Sequence, residues 1–175
     1  VVRKDCDVKM SQPEIAFPAK ANGTLIDRIA YDGVDSYDLP TPLDDDSYNF
    51  SFSGIKSAVI NLVHNEMQRG NLIRNEDLAC SFQNRVVNIL VKKVIRAMKE
   101  YNVPNLIVAG GVAANKCLRA RLKDACEKEG FNVVFPAMKY CTDNAAMIGA
   151  AGYYAYKLCR IADLNINSKA NDELN

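Results

Sequence analysis

Apolar residues recur at helical spacing through the middle of the chain. Ile55, Ala58, Val59, Leu62, Val63 and Met67 share one helix face, and Gly70 with Asn71 closes that helix. Asn75 then reads as an N-cap, with Glu76 and Asp77 in the first turn, where the positive end of a helix favours carboxylates. The helix it opens runs to about Glu100. Its apolar positions, among them Phe82, Val86, Val87, Ile89, Leu90 and Val94, cover more than one stripe, which predicts packing on two sides.

After Pro104 the pattern changes. The run NLIVAG has no polar alternation and predicts a short buried strand. A helix follows over about 115–129, with Leu118, Leu122, Ala125 and Cys126 inward and Gly130 just past its end. FNVVFP is a second strand, closed by Pro136. CTDNAAMIGAAGYYAYKLC reads as a last helix, with Thr142 as N-cap and a smooth side of Ala145, Ala146, Gly149, Ala150 and Gly152 for close packing. Strand–helix–strand–helix with short links predicts an α/β fold with at least two parallel strands and a right-handed crossover. Ahead of this body, residues 1–22 lack a period and hold two prolines, which predicts an irregular leader. A short helix over 24–31 and a loop rich in Asp, Pro, Gly and Ser come next. The body is expected over 23–160 and a polar tail over 161–175.

Charge changes this picture because it is unevenly spread. From Arg85 to Lys123 nine basic residues face Glu100 alone, a net +8, whereas Asp27 to Asp46 holds seven aspartates against Arg28. A basic stretch of this kind suits a polyanion such as RNA, or marks the solvated faces of outer helices. The six cysteines include no C-x-x-C pair, so they read as reduced thiols packed as small apolar residues. No apolar run approaches the ~18 residues of a membrane span, and no secretory segment is evident. A soluble, cytoplasmic protein without a membrane partner is the expectation.

Three stretches could carry chemistry. Gly110-Gly111 stands between a strand end and a helix start, where free N–H groups and the helix dipole suit a phosphate and glycine admits close approach; Asn115 caps that helix or bonds a ligand. Asp143 and Asn144 open the last helix, directly after the parallel strand, so Asp143 is expected near the glycine turn, as a metal ligand or as a charge stabilising its helix. Cys141 beside it is an activated or a buried inert thiol. YNFSFSGIKSA sets Lys56 in a first helical turn, where the dipole disfavours a cation. His64, the single histidine, sits at a polar helix edge, and no Ser-His-Asp set supports a hydrolase.

Taken in series, FSFSGIKSA (50–58), AGGVAANKCLR (109–119) and FPAMKYCTDNAAMIG (135–149) closely resemble the TsaD family of tRNA N6-adenosine threonylcarbamoyltransferases, over about 23–156. The resemblance implies the helix-rich C-terminal lobe of an actin/Hsp70/sugar-kinase-like (ASKHA) fold. It implies transfer of a threonylcarbamoyl group from threonylcarbamoyl-AMP to N6 of adenosine 37 in tRNA. It further implies nucleotide binding by Gly110, Gly111 and Asn115, and Asp143 as one ligand of a divalent metal, iron in this family. The family's remaining metal ligands lie on a His-x-x-x-His helix that this sequence lacks. The sequence is therefore expected to be a C-terminal fragment, inactive alone and prone to self-association. TsaB-like and TsaE-like proteins are the partners implied for the whole enzyme. The alternative is a non-catalytic ASKHA-like subunit that binds a nucleotide or RNA.

Overall fold

Among the described residues one long helix, Asn75–Glu100, carries most of the packing. The computed structural model describes residues 23–165 and 167, so the expected leader and most of the expected tail lie outside the described residues. In chain order it contains α1 (Gly23–Ala30), α2 (Phe52–Gln68), α3 (Asn75–Glu100), β1 (Asn105–Ile107), α4 (Lys116–Lys128), β2 (Asn132–Val134) and α5 (Ala145–Lys157). Short 3-10 turns at Gly111–Ala114 and Met138–Tyr140 precede α4 and α5. The strands pair in parallel, Leu106 opposite Val133 and Ile107 opposite Val134. This is the predicted α/β arrangement, with helices far outweighing strands.

The two apolar stripes of α3 serve two cores. On one side Ile89 joins Leu39 and Ile55, with Phe52, Leu62, Phe82 and Val86 packed around them. On the other, Val87 joins Leu118 and Leu122, with Leu90, Val94, Leu106 and Phe135. The two-sided packing predicted for α3 is therefore present. α1 and α4 both lie against it.

Helix starts differ from expectation in two places. Asn75 is the first helical residue, and the cap position belongs to Arg74, whose side chain makes no cap bond. Arg74 instead pairs with Glu76 at 3.5 Å and Asp77 at 3.4 Å, while Asp77 accepts the Val34 N–H at 2.8 Å. Contacts with the preceding loop thus hold the start of α3. For α5, the cap is Asn144, not Thr142: its Oδ1 accepts the Met147 N–H at 3.0 Å. Residues 141–144 stay non-helical after the 3-10 turn, so α5 starts at Ala145.

Burial differs too. The strands were expected to be enclosed, yet Ile107 is 78% and Val134 60% exposed. Helices cover one face of the pair, through Leu106 and Phe135, and leave the other open. Likewise α5 has no buried residue, so its smooth side packs on nothing among the described residues.

The acidic segment lies across α3 as a strap, pinned by Leu39 in the core at 2% exposure. Asp38 pairs with Arg85 at 2.9 Å, Asp45 with Lys93 at 3.5 Å and Asp46 with Arg96 at 3.7 Å, and Asp44 bonds Lys92. The Lys92 ammonium holds the Asp44 carboxyl below the usual carboxylate range, and the Ser47 hydroxyl does the same for Asp45. A carboxyl whose pKa is depressed on folding stabilises above its unfolded value, about 4, and loses that contribution as pH falls through the folded value. The strap should therefore loosen on acidification from about pH 5 to pH 3. Urea midpoints should drop over that interval, and Asp44→Asn should make the drop shallower; an unchanged slope in the variant would count against the strap.

Candidate functional site

β1 and β2 run in parallel, so their carboxyl ends open on the same side of the sheet, where ligand crevices form in α/β folds. A cleft of about 640 Å³ lies there, walled by Ala109, Gly110 and Gly111 on one side and by Pro136 and residues 140–144 on the other. Gly110 has φ 89° and ψ 177°, a conformation essentially closed to residues with a side chain. A Cβ built on Gly110 or Gly111 meets nothing within 4 Å. The backbone there is open to whatever enters the cleft.

Asp143 is brought to the same cleft. It is exposed and carries no hydrogen bond or ion pair among the described residues. Gly110, Gly111 and Asp143 thus share one site. Asn115 stands at the far end of the 3-10 turn and does not line the cleft. Its Oδ1 caps α4 by accepting the Leu118 N–H at 2.8 Å, and its Nδ2 donates to Gln83 Oε1 at 2.8 Å. Of the two roles open to it from the sequence, the cap is the one this geometry uses.

The amino end of α4 is not a free anion site either. Asp27 Oδ2 accepts the Lys116 N–H at 3.2 Å and Oδ1 the Cys117 N–H at 3.5 Å. A carboxylate of the chain itself occupies the place a phosphate would take. Nothing local in the sequence signals this, since Asp27 lies on α1.

Among the described residues no three His, Cys, Asp or Glu side chains converge on a common point, so Asp143 by itself does not make a metal site. Cys141 is 3% exposed, with Sγ 3.1 Å from Arg119 Nη2. Burial pushes the Cys80, Cys117 and Cys126 thiols up, keeping them protonated and unreactive. His64 and Lys56 are exposed on α2.

Five of the nine basic residues of the stretch pair with carboxylates within the fold. Arg85, Lys92, Lys93 and Arg96 pair with the strap, and Lys99 with Glu129 at 2.7 Å. Arg121 donates to Asn84 and Asn88. Lys116 and Lys123 have no side-chain partner among the described residues. The net +8 counted along the sequence therefore does not form a bare basic face.

Comparison with known proteins bears on what such a site belongs to. The model of the TsaD family, tRNA N6-adenosine threonylcarbamoyltransferase, matches residues 9–150. That match begins ahead of Gly23, within the stretch read as a leader. A relative from Staphylococcus saprophyticus with that name is 57% identical over 146 residues, covering 83% of this chain and 43% of the relative. One from Staphylococcus epidermidis, with the same name, is 55% identical over 153 residues, covering 87% of this chain and 45% of the relative. The chain thus spans less than half the length of these curated relatives. A crystal structure of HypF from T. kodakarensis shares the fold over 79% of this chain and 17% of that one, with TM-score 0.53 and 16% identity. Among the described residues no helix is long and apolar enough to cross a membrane. With most of its length matched by the family model and more than half of its aligned residues identical to these relatives, the chain belongs to the TsaD family.

Proposed function

We propose that this sequence is the C-terminal portion of a cytoplasmic enzyme that makes N6-threonylcarbamoyladenosine in tRNA, and that the portion alone is inactive. The observation that carries this reading is the family match over 9–150, joined to a cleft in which the Gly110-Gly111 turn faces Asp143. The described residues form part of an ASKHA-type C-terminal lobe. Threonylcarbamoyl-AMP is the donor, adenosine 37 of tRNA the acceptor, and TsaB-like and TsaE-like proteins assist the whole enzyme.

In this reading the chain positions and stabilises; no side chain in the cleft acts as a general base. Peptide groups of the bare glycine turn are open to the adenylate, since no protein atom lies within 4 Å of where a Cβ would stand. Asn115 anchors the head of α4 and retains one amide proton and one oxygen lone pair beyond its two observed bonds. In the whole enzyme Asp143 would supply one ligand to a divalent metal, iron by family resemblance, with the remaining ligands coming from the His-x-x-x-His helix that this sequence lacks. When bound, such an ion polarises oxygen of the donor substrate.

The test is an assay of the complete gene product with threonylcarbamoyl-AMP and an unmodified tRNA transcript. Threonylcarbamoyladenosine at position 37 is expected from the complete product and none from this chain alone. No modified nucleoside from the complete product would overturn the proposal. The non-catalytic RNA-binding alternative is disfavoured by the pairing of the basic stretch within the fold.

A further inference from the structure

The two walls of the cleft come from separate loops, and a single side chain on α4 bonds both loops, through Ala113 in the turn behind the glycines and Pro136 in the opposite wall. Arg119 Nε donates to the carbonyl of Ala113 in the glycine-led turn. Its Nη2 donates to the Pro136 carbonyl at 2.7 Å and lies 3.1 Å from Cys141 Sγ, both on the opposite wall. The guanidinium also sits 5.0 Å from the centroid of the Phe135 ring. Arg119 is half-buried and has no carboxylate partner among the described residues.

We propose that Arg119 is a positioning residue that fixes the glycine turn and the wall of residues 136–141 at the spacing a nucleotide requires. The kinetic part of this inference rests on the transferase reading; the geometric part does not. The physical reason is the shape of the donor. A planar guanidinium sends several N–H groups in fixed directions, so one residue can hold two carbonyls and a thiol on different loops. A lysine ammonium at the same place reaches fewer of these acceptors and lacks the flat face that rests on Phe135. Because no carboxylate neutralises it, the cation also leaves a positive potential behind the cleft, which favours an anionic ligand.

The experiment uses the complete gene product with Arg119→Lys, and Leu122→Ala as a control that loosens the core under α4 while leaving every Arg119 hydrogen bond in place. Steady-state kinetics with threonylcarbamoyl-AMP and amide exchange are read on both. For Arg119→Lys, KM for the adenylate should rise about tenfold to a hundredfold, with kcat changed far less, as misplaced binding groups produce. Amide exchange should quicken together in residues 111–115 and 136–142. In Leu122→Ala, KM should stay within about twofold of wild type. A folded Arg119→Lys protein with unchanged KM overturns the proposal, as does faster exchange confined to one wall. If wild type makes no product, the transferase reading fails on its own. The exchange pattern then decides the clamp: quickening in both walls supports it, and quickening in one or neither refutes it.

Discussion

Replacing Lys93 by methionine is expected to destabilise the fold by about 1–3 kcal/mol, a sizeable fraction of a typical domain's stability. Lys93 is 5% exposed, and its ammonium donates to the Ser47 carbonyl at 2.8 Å and the Asn49 carbonyl at 2.7 Å. Asp45 lies 3.5 Å away, and the Phe50 ring centroid 5.8 Å. Methionine keeps the length of the stem and removes every donor; the Asn49 carbonyl loses this partner, whereas the Ser47 carbonyl keeps its bond from Arg96 Nη2 at 2.7 Å. The partly exposed Asp45 can rehydrate, so the Asn49 carbonyl carries most of the loss. Urea unfolding at neutral pH gives the measurement: a lower midpoint with an unchanged slope means lost stability, not a changed unfolded state. A loss under about 0.5 kcal/mol, the size of an ordinary surface change, would mean that the strap is only loosely seated.

Gly33→Ala should cost about 2–3 kcal/mol, near the upper end for overpacking. Gly33 N–H closes the turn after α1 by donating to the Ala30 carbonyl at 3.2 Å, which brings its Cα against the start of α3. A Cβ there would lie 2.0 Å from the Glu76 carbonyl oxygen and 3.0 Å from Asp77 N. Both atoms belong to the backbone of a long helix, so the loop must give way. Moving it stretches the bond between Val34 N–H and Asp77, which is 2.8 Å in the native fold. Amide exchange at Val34 should accelerate along with the drop in melting temperature. Wild-type stability in this variant would show that the turn moves away from α3 at no cost.

What could be read from the sequence followed the range of the forces involved. The two stripes of α3 were visible because helical periodicity is local, and both stripes found cores. The same holds for the parallel strands and for Gly130, whose φ of 72° ends α4 as a residue past a helix should. Cap residues were misplaced where distant groups intervened: Arg74 at the head of α3 is held by Asp32 and Asp77, and the turn before α5 moves the cap to Asn144. Strand burial was overestimated because an apolar run cannot say whether anything covers its second face. Within the site, Gly110, Gly111 and Asp143 converge on one cleft as their order in the chain suggested. The roles of Asp27 and Arg119 have no local signature, since each acts on a loop that only the folded chain brings near.

The strap also changes what a salt titration would report. Binding of a cationic protein to nucleic acid is salt-sensitive because each phosphate contact releases a condensed counterion. On α3 the cations already hold carboxylates of their own chain, and added electrolyte weakens those pairs as well. If tRNA displaced the strap, liberated aspartates would take up small cations while the phosphates shed theirs. The observed slope would then understate the number of phosphates engaged along this helix. Counting contacts from such a slope would require the aspartates to be neutralised first.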